Sequence, residues 1–357
     1  MRVALLNLPF DNNYGGNLQR FALIYLIRSL GHDVVHINLQ RKPAIKWYIR
    51  PLSLAKRLFY KYVRNISVPI NEKEYIQYLR NLYNGEATKF YNQYVKHTEV
   101  CYGVEDVKRI CLGKFDAYIV GSDQVWRYSM TKYLGIKNYF LDFLIKEDVI
   151  RIAFSVSLGT KENEYPENLL DELRELYGKF NAVSVRELSA IDMFNQYNFN
   201  HPRAQVTLDP TFLVDIDVYD NIILNHSVLP MTKNKIYCYI LDYSEEKEKY
   251  IKEESKRRKM ELEVDGISLK TKLPSIPQWL SNIKESEFVI TDSYHGLVFS
   301  LIYRKKYICL LNSSRGNARF MDLFSLLEIK NGELPKQETL DRLKKMSKSI
   351  IESALRK

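Results

Sequence analysis

Short apolar runs alternate with longer amphipathic stretches along most of the chain. Residues 2–8 form an apolar run that ends before Pro9, which predicts a buried strand. Over residues 17–30 apolar side chains return at helical spacing, and Gly31 is a suitable C-cap. A second strand is predicted over residues 32–39. The chain therefore begins with a strand, a glycine-bearing loop, a helix and a strand. In an open α/β sheet that loop faces the ligand crevice.

The same alternation continues to the C-terminus. Further strands are predicted over residues 115–120, 150–156, 181–185, 205–208, 235–241, 261–264, 288–291 and 307–311, with helices between most of them. The pattern relaxes near residues 215–228 and then restarts. We predict two parallel-sheet α/β domains, residues 1–215 with a helical insertion at about 42–110, and residues 216–357. A cleft between them is the expected ligand site.

Composition narrows the class of protein. Of 357 residues, 46% are hydrophobic and 27% are charged, which excludes a disordered or collagen-like chain. No apolar run approaches the roughly 20 residues of a membrane span, and the N-terminus resembles a strand rather than a secretion signal. We therefore expect a cytoplasmic protein. The four scattered cysteines predict buried free thiols and neither a disulfide framework nor a zinc site.

The net charge of +10 is unevenly distributed. Residues 34–71 contain no acid, and apolar residues are interleaved with the basic ones between residues 41 and 64. Leu54, Leu58 and Tyr62 recur at four-residue steps, as on one face of a helix. A basic amphipathic helix can lie on an anionic membrane surface, and the alternative is a solvated basic face packed on the core. No nucleic-acid-binding motif accompanies the charge, so nucleic acid is not an expected partner.

Small polar or charged residues follow many of the predicted strands, where α/β folds place their chemistry. His295 lies between a strand and a helix, and its imidazole can exchange a proton near neutral pH. Arg186 follows another strand, and its guanidinium suits a carboxylate or phosphate. Neither of the two familiar phosphate-binding loops is present, so kinase and dehydrogenase functions lose their main support.

Five ordered blocks of residues carry a family resemblance. They are Asn13-Tyr14-Gly15-Gly16-Asn17-Leu18-Gln19, Val120-Gly121-Ser122-Asp123-Gln124-Val125-Trp126, Ser184-Val185-Arg186-Glu187, Asp209-Pro210-Thr211 and Val289-Ile290-Thr291-Asp292-Ser293-Tyr294-His295-Gly296. In this order they resemble the polysaccharide pyruvyl transferases. The resemblance implies two Rossmann-like domains in a glycosyltransferase-B-like arrangement. It also implies transfer of the enolpyruvyl unit of phosphoenolpyruvate to a sugar, which gives a cyclic pyruvate ketal and phosphate.

The resemblance assigns the phosphoenolpyruvate side to the second domain and the acceptor side to the first. Arg186 matches one phosphoenolpyruvate-binding arginine of the family, and His295 with Gly296 matches the C-terminal motif. Ser293 stands where the family has a second arginine, and the candidates to replace that arginine are Arg127, Arg315 and Arg319. The implied donor-binding set is Arg186, Ser293, Tyr294, His295, Gly296, Arg315 and Arg319. No cofactor or metal is expected.

Catalysis is assigned on the same basis. We expect His295 to be the general acid or phosphate partner, with Asp292, Asp123 or Glu187 as the base or as a residue that orients it. The expected acceptor-binding residues are Asn13, Tyr14, Gly15, Gly16, Asn17, Gln19, Ser122, Asp123, Gln124, Trp126 and Arg127. A polyprenyl-diphosphate-linked glycan at the inner membrane face would account for the basic segment 41–64.

Two other functions fit the same features. One is a glycosyltransferase of this architecture that uses a nucleotide sugar, since fold does not fix function. The other is a catalytically inactive scaffold or lectin-like module, which the missing arginine at position 293 would allow.

Overall fold

The computed structural model describes residues 1–42, 45–144, 148–266, 273–311 and 317–356. Within them the strands form two separate parallel sheets. The first lobe holds a six-stranded sheet with the order β2-β1-β3-β4-β5-β6, and the second a four-stranded sheet with the order β10-β9-β7-β8. The strands are β1 Arg2–Leu6, β2 Asp33–His36, β3 Ala117–Val120, β4 Ile150–Val156, β5 Ala182–Val185, β6 Gln205–Val206, β7 Lys235–Tyr239, β8 Glu261–Asp265, β9 Phe288–Thr291 and β10 Lys306–Cys309.

Helices connect the strands, as parallel pairing requires. They are α1 Tyr14–Ser29, α2 Arg50–Leu58, α3 Glu72–Tyr94, α4 Val104–Cys111, α5 Tyr128–Thr131, α6 Glu167–Tyr177, α7 Leu188–Gln196, α8 Ile216–Leu224, α9 Glu245–Arg258, α10 Ile276–Glu285, α11 Tyr294–Ile302, α12 Ala318–Leu326 and α13 Gln337–Leu355. Short single-turn helices fill several loops. The predicted mixed α/β class is confirmed, with strand ends that differ from the predicted ones by a few residues.

The central strands are apolar on both faces because helices cover both faces of each sheet. Every residue of β3 and β9 is buried. One apolar cluster includes Leu18 of the first lobe and Trp279 and Leu297 of the second, so the two lobes share a continuous core. The ring of Tyr14, at the start of α1, lies 5.9 Å from that of Tyr239 and 5.6 Å from that of Trp279.

The last helix returns to the first lobe. The sequence places all of residues 216–357 in the second domain, but α13 packs against β4 and β5 of the first sheet. The Ser347 hydroxyl accepts a hydrogen bond from the Leu208 amide at 3.0 Å. The boundary near residue 215 stays a prediction, and the C-terminal helix lies across it.

The four cysteines are buried and unpaired. Among the described residues, no helix has both the length and the hydrophobicity needed to cross a bilayer.

Candidate active site

A cavity of about 530 Å³ lies between the lobes, at the carboxyl ends of β1 and β3 on one side and of β7 and β9 on the other. This is the position at which open α/β sheets bind ligands. Its walls are formed by Leu8, Pro9, Asp11, Asn13, Gln40, Arg41, Asp123, Gln124, Arg127 and Met130 of the first lobe, and by Leu241, Asp292, Ser293, Tyr294, His295, Arg319 and Phe320 from the second half of the chain.

The first-lobe wall is built from two loops that leave strands. After β1, Asn13 caps α1, because its side-chain oxygen accepts a hydrogen bond from the Gly16 amide at 3.1 Å. After β3, Asp123 has a φ of +69°, in the left-handed region that Asp tolerates better than most residues. Such conformations occur often at functional sites, where the surrounding structure holds them in place.

The second-lobe wall is the beginning of α11. Ser293 caps this helix by accepting a hydrogen bond from the Gly296 amide at 3.2 Å. A Cβ at Gly296 would lie 2.3 Å from the Thr291 hydroxyl oxygen, so only glycine fits there. Tyr294 and His295 form the first turn of the helix and line the cavity.

The first turns of α1 and α11 meet across the cleft. A Cβ at Gly15 would lie 1.9 Å from Nδ1 of His295 and 2.2 Å from its Cγ. The imidazole therefore rests directly on the backbone of α1, in space that any side chain at position 15 would occupy. The glycine block and the histidine block of the sequence thus form one contact.

Beneath the cavity floor, Arg186 joins two carboxylates. Its guanidinium donates to Asp209 Oδ2 at 2.8 Å and to Asp123 Oδ1 at 2.9 Å. Asp209 Oδ2 also lies 3.6 Å from Nε2 of His295. Nη1 of Arg319 lies 4.0 Å from Asp123 Oδ1. We call these five residues, Arg186, Asp209, Asp123, His295 and Arg319, the charge cluster.

Both arginines of the charge cluster lie against the Tyr294 ring. The Arg186 guanidinium lies 4.4 Å from the centre of the Tyr294 ring, and that of Arg319 lies 5.5 Å from it. Contacts of this kind attract a cation to the ring face. The aromatic ring thus lets two like charges lie close to one cavity.

The electrostatics of the charge cluster keep its carboxylates ionised. Burial alone would raise the pKa of Asp209, but His295 and Arg186 hold it below its ordinary value. Burial also acts to raise the pKa of Asp123, and Arg186, His295 and Arg319 lower it overall. The pKa of Arg319 is lowered, first by burial and then by the nearby Arg186. Arg319 and His295 give the cavity wall donors suited to an anion.

A family model of polysaccharide pyruvyl transferases matches residues 13–314, which is well over half of the chain. The chain belongs to this family. No curated protein matches it.

Among solved structures, this polysaccharide pyruvyl transferase family member is similar in fold to UDP-GlcNAc 2-epimerase from Methanocaldococcus jannaschii. The TM-score is 0.50 at 10% identity, with 100% of each chain covered. A glycosyltransferase from Streptomyces sp. SF2575 gives a TM-score of 0.41 at 12% identity, over 100% of this chain and 94% of the other. The likeness to the epimerase over its full length, together with the two parallel sheets, supports the predicted arrangement of two Rossmann-like domains with a cleft between them.

Part of the predicted site lines the cavity. From the predicted set these residues are Asn13, Asp123, Gln124, Arg127, Asp292, Ser293, Tyr294, His295 and Arg319. Gly15 and Gly296 support His295 from outside that lining, and Gly16 donates to the α1 cap. Arg315 lies outside the described residues. Arg127 donates to Glu164 at 3.0 Å, so its charge is already paired at the cavity edge.

Other predicted acceptor-binding residues have structural contacts instead. Trp126 is fully buried, stacks on Phe140 at 4.5 Å and donates its indole N–H to Tyr139. Tyr14 donates its hydroxyl to the Pro274 carbonyl inside the shared core. Both rings are packed in the core and neither lines the cavity, so their role in acceptor binding stays a prediction.

Three polar members of the predicted acceptor set are also held within the first lobe. Ser122 donates to Gln19, and both side chains are buried. Asn17 donates to the Asp11 and Asn13 carbonyls at 2.9 Å each. These contacts shape the β1–α1 loop rather than the cavity wall.

Arg186, a predicted donor-binding residue, and Glu187, a predicted base or orienting residue, both lie outside the cavity wall. Arg186 is only 1% exposed at its side chain and lies below the cavity rather than in its wall. Glu187 Oε1 accepts from the Ser157 hydroxyl at 2.6 Å and from the Leu158 and Gly159 amides at 2.9 Å each, which ties two loops together. Neither side chain is placed to touch a ligand in the cavity.

Asp292 lines the cavity, but its charge is already satisfied. It accepts hydrogen bonds from the Leu241 and Asp242 amides at 2.6 and 3.0 Å, and from Lys247 Nζ at 2.6 Å. These hydrogen bonds fix the loop after β7. Sequence patterns did not single out Lys247, because it belongs to an ordinary highly charged helix.

Two functional candidates were missed by the sequence analysis. Asp209 was recognised in a motif but not assigned to the site, although it follows a predicted strand as the other site residues do. Asp11 lines the cavity, and enclosure between the lobes raises its pKa, whereas the Asn13 amide and Arg20 act to lower it. Among the described residues there is no group of three or more side chains arranged to hold a metal ion.

The contact between Gly15 and His295 gives a direct test. We expect Gly15→Ala to lower the free energy of unfolding by about 1–3 kcal/mol, because the new methyl group overlaps the imidazole. Gly16→Ala is the matched control, since its nearest neighbour would be 3.6 Å away, an ordinary contact. Denaturant unfolding of both variants measures the difference, and equal stabilities would contradict the assigned contact.

The charge cluster predicts a pH dependence of stability. We expect Asp209→Asn to lower the free energy of unfolding at pH 7 by about 3 kcal/mol, because Arg186 loses a buried partner. The pKa of Asp209 is depressed in the folded protein, so its stabilising effect exists above the unfolded pKa of about 3.9 and is lost as the pH falls below it. Unfolding curves from pH 7 down to acid should therefore converge. A gap that stays constant with pH would contradict the ionised state of Asp209.

Proposed function

We propose that this protein transfers the enolpyruvyl unit of phosphoenolpyruvate to two hydroxyls of one sugar. A proton adds to the methylene carbon of phosphoenolpyruvate, and the first hydroxyl oxygen bonds to C2. The C2–O bond to phosphate then breaks, and the second hydroxyl oxygen closes the ketal. The two hydroxyls release two protons, which balance the proton gained by the methyl group and the one carried away with phosphate.

The charge and shape of the cavity support this donor. Phosphoenolpyruvate carries a carboxylate and a phosphate, and both are ligands for arginine and for the free N–H groups of a helix start. Arg319 and His295 line the cavity, and the first turn of α11 forms part of its wall. The observation that carries the proposal is this convergence of an arginine, a histidine and a helix N-terminus on one cleft.

Arg319 takes the place of the arginine that the family pattern has at position 293. It comes from the start of α12 rather than from α11, yet it lies near the same Tyr294 ring as Arg186. Arg186 then acts as a positioning residue: it fixes Asp123 and Asp209, and through them the electrostatic surroundings of His295. Arg186 itself needs no contact with the donor in this scheme.

His295 is the proposed proton donor to the methylene carbon. Its Nε2 is buried without a hydrogen-bond partner among the described residues, and an ionised Asp209 lies 3.6 Å away. An imidazole nitrogen without a partner in the protein can hydrogen-bond to a ligand and exchange a proton with it. Asp11, whose pKa is raised, is the proposed base for a sugar hydroxyl, because a raised pKa favours proton acceptance near neutral pH.

The acceptor in this proposal is a sugar of a lipid-linked polysaccharide precursor. Asp11, Asn13, Gln40 and Gln124 supply hydrogen-bonding side chains on the first-lobe wall. Arg41, the first residue of the basic segment 41–64, lines the same cavity. The acceptor wall is thus continuous with the segment whose composition suggests contact with a membrane surface.

The roles of His295 and Asp11 predict different changes in the kinetics. We expect His295→Ala to lower kcat by about 10²–10⁴-fold, because the proposed proton donor is removed. Asp11→Asn should remove the rise of kcat/KM with increasing pH on the acidic side of the profile. Phosphate released from phosphoenolpyruvate in the presence of acceptor is the measurement, and His32→Ala, at the chain surface far from the cleft, is the control.

Two results would overturn these assignments. Wild-type turnover in His295→Ala would remove the histidine from the chemistry. Release of a nucleoside diphosphate from a nucleotide sugar, with no phosphate released from phosphoenolpyruvate, would favour a glycosyltransferase instead.

Replacing Arg319 should weaken donor binding more than it changes the chemistry. We expect Arg319→Ala to raise KM for phosphoenolpyruvate by about 10–100-fold, the loss of one charge-assisted contact of about 1.5–3 kcal/mol. Arg304→Ala, at the outer end of α11, is the matched control. Calorimetric titration of phosphoenolpyruvate into both variants checks the result, and unchanged affinity in Arg319→Ala would assign the second cation to another residue.

A further inference from the structure

The apolar side chains of α2 face away from the protein. Within α2 the one buried residue is Arg57, while Leu52 is 72% exposed and Leu54 is 41% exposed. A surface helix of a globular protein normally buries its apolar stripe and exposes its charges. Here the stripe predicted from the periodicity of Leu54, Leu58 and Tyr62 exists, but it points to the outside.

Arg57 fixes this orientation. Its guanidinium donates to the Ser53 carbonyl at 3.1 Å and to the Ile70 carbonyl, and it stacks on the Tyr75 ring at 5.3 Å. These contacts anchor one side of α2 to the beginning of α3. With an arginine held inward, the leucines on the other sides of the helix are left exposed.

The exposed apolar side chains continue on both sides of α2. Trp47 is 81% exposed, and Tyr62 and Val63 are each 67% exposed. We call the exposed side chains of residues 46–64 the outer face; its basic members are Lys46, Arg50, Lys56, Lys61 and Arg64. Arg50 lies 3.4 Å from Glu72, and no acidic residue occurs between residues 34 and 71.

We propose that the outer face docks on an anionic lipid bilayer. Exposed aromatic and aliphatic side chains interleaved with lysine and arginine match the acyl boundary and the negative headgroups of such a surface. A protein partner with acidic side chains would match the charges, but it would not account for an apolar stripe interleaved with charge along the whole segment. The outer face therefore fits a membrane better than a second protein.

The position of the outer face links it to the proposed active site. Arg41 lines the cavity, and Lys46 follows it five positions along the chain, a span of no more than about 18 Å. The Arg41 guanidinium also lies 4.5 Å from the centre of the exposed Tyr133 ring. Docking would therefore place the acceptor side of the cavity beside the bilayer. The entry of a lipid-linked sugar at this side rests on the proposed function. The docking of the outer face on a bilayer does not depend on it.

Vesicle flotation of the full-length chain tests the proposal. We expect the protein to bind phosphatidylcholine vesicles that contain phosphatidylglycerol and to bind vesicles of phosphatidylcholine alone only weakly. Binding to the anionic vesicles should be lost as added salt shortens the Debye length below about 10 Å. Lys56→Gln with Lys61→Gln should weaken binding about 25-fold at low salt, at about fivefold per lysine. Leu52→Ser with Tyr62→Ser should weaken it at least about tenfold.

Matched controls lie on the second half of the chain. Lys249→Gln with Lys256→Gln removes two exposed lysines of α9, and Leu224→Ser removes a leucine that is 78% exposed at the end of α8. Both should bind vesicles as the wild type does. Equal loss in these controls, or indifference of the wild type to anionic lipid, would overturn the proposal. The wild type could instead be a dimer that the Leu52→Ser and Tyr62→Ser changes convert to a monomer that does not float with vesicles. That result would assign the outer face to contact with a second copy and would also overturn the proposal.

The same variants separate docking from catalysis. With a water-soluble acceptor, the Leu52→Ser and Tyr62→Ser variant should release phosphate from phosphoenolpyruvate at the wild-type rate. With an acceptor embedded in anionic vesicles, its rate should fall in parallel with its binding. We expect the variant to lose flotation while it keeps wild-type turnover of the water-soluble acceptor. If the wild-type protein floats with vesicles but shows no turnover of any acceptor, the proposed function is refuted and the docking proposal stands.

Discussion

The ion pairs of Arg186 with Asp123 and Asp209 hold together the parts of the site that the fold brings from separate strands. Each carboxylate follows a different strand of the first sheet, and without a cation between them two buried negative charges would repel each other. Burying such a group is costly unless it is both paired and hydrogen-bonded. The hydrogen bonds of Asp209 with the Thr211 amide and hydroxyl, at 3.0 and 2.7 Å, supply the remaining partners.

These ion pairs also connect the lobes electrostatically. His295 belongs to the second lobe, and its Nε2 faces Asp209 of the first. Arg319 faces Asp123 in the same way. Arg319 and His295 thus face carboxylates that Arg186 also contacts, Asp123 in the cavity wall and Asp209 below it. Because the positive charge of Arg186 offsets these two aspartates, the donors of Arg319 and His295 can still serve an anionic ligand.

Sequence patterns predicted the sheets well, because buried parallel strands are continuous apolar runs and their polar ends are visible in the sequence. The motifs also located the cavity residues Asp123, Gln124 and His295. The patterns could not separate residues that line the cavity from residues that hold its loops, since Trp126 and Gln19 belong to the same motifs. Asp11 and Lys247 carried no signal, because their importance arises from chain segments that meet only after folding. The helical period of α2 was equally visible, but the direction in which its apolar stripe points depends on Arg57.

The contact of the His295 imidazole with the Gly15 backbone has a consequence for how related sequences can vary. Although the two positions lie near opposite ends of the chain, neither can change alone: a larger residue at 15 demands a different ring position at 295, and a different ring leaves a void above α1. Substitutions at these positions should therefore occur in pairs among relatives. A chimaera that joins the first lobe of one relative to the second lobe of another would keep an intact site only if both relatives have the same pair of residues at positions 15 and 295.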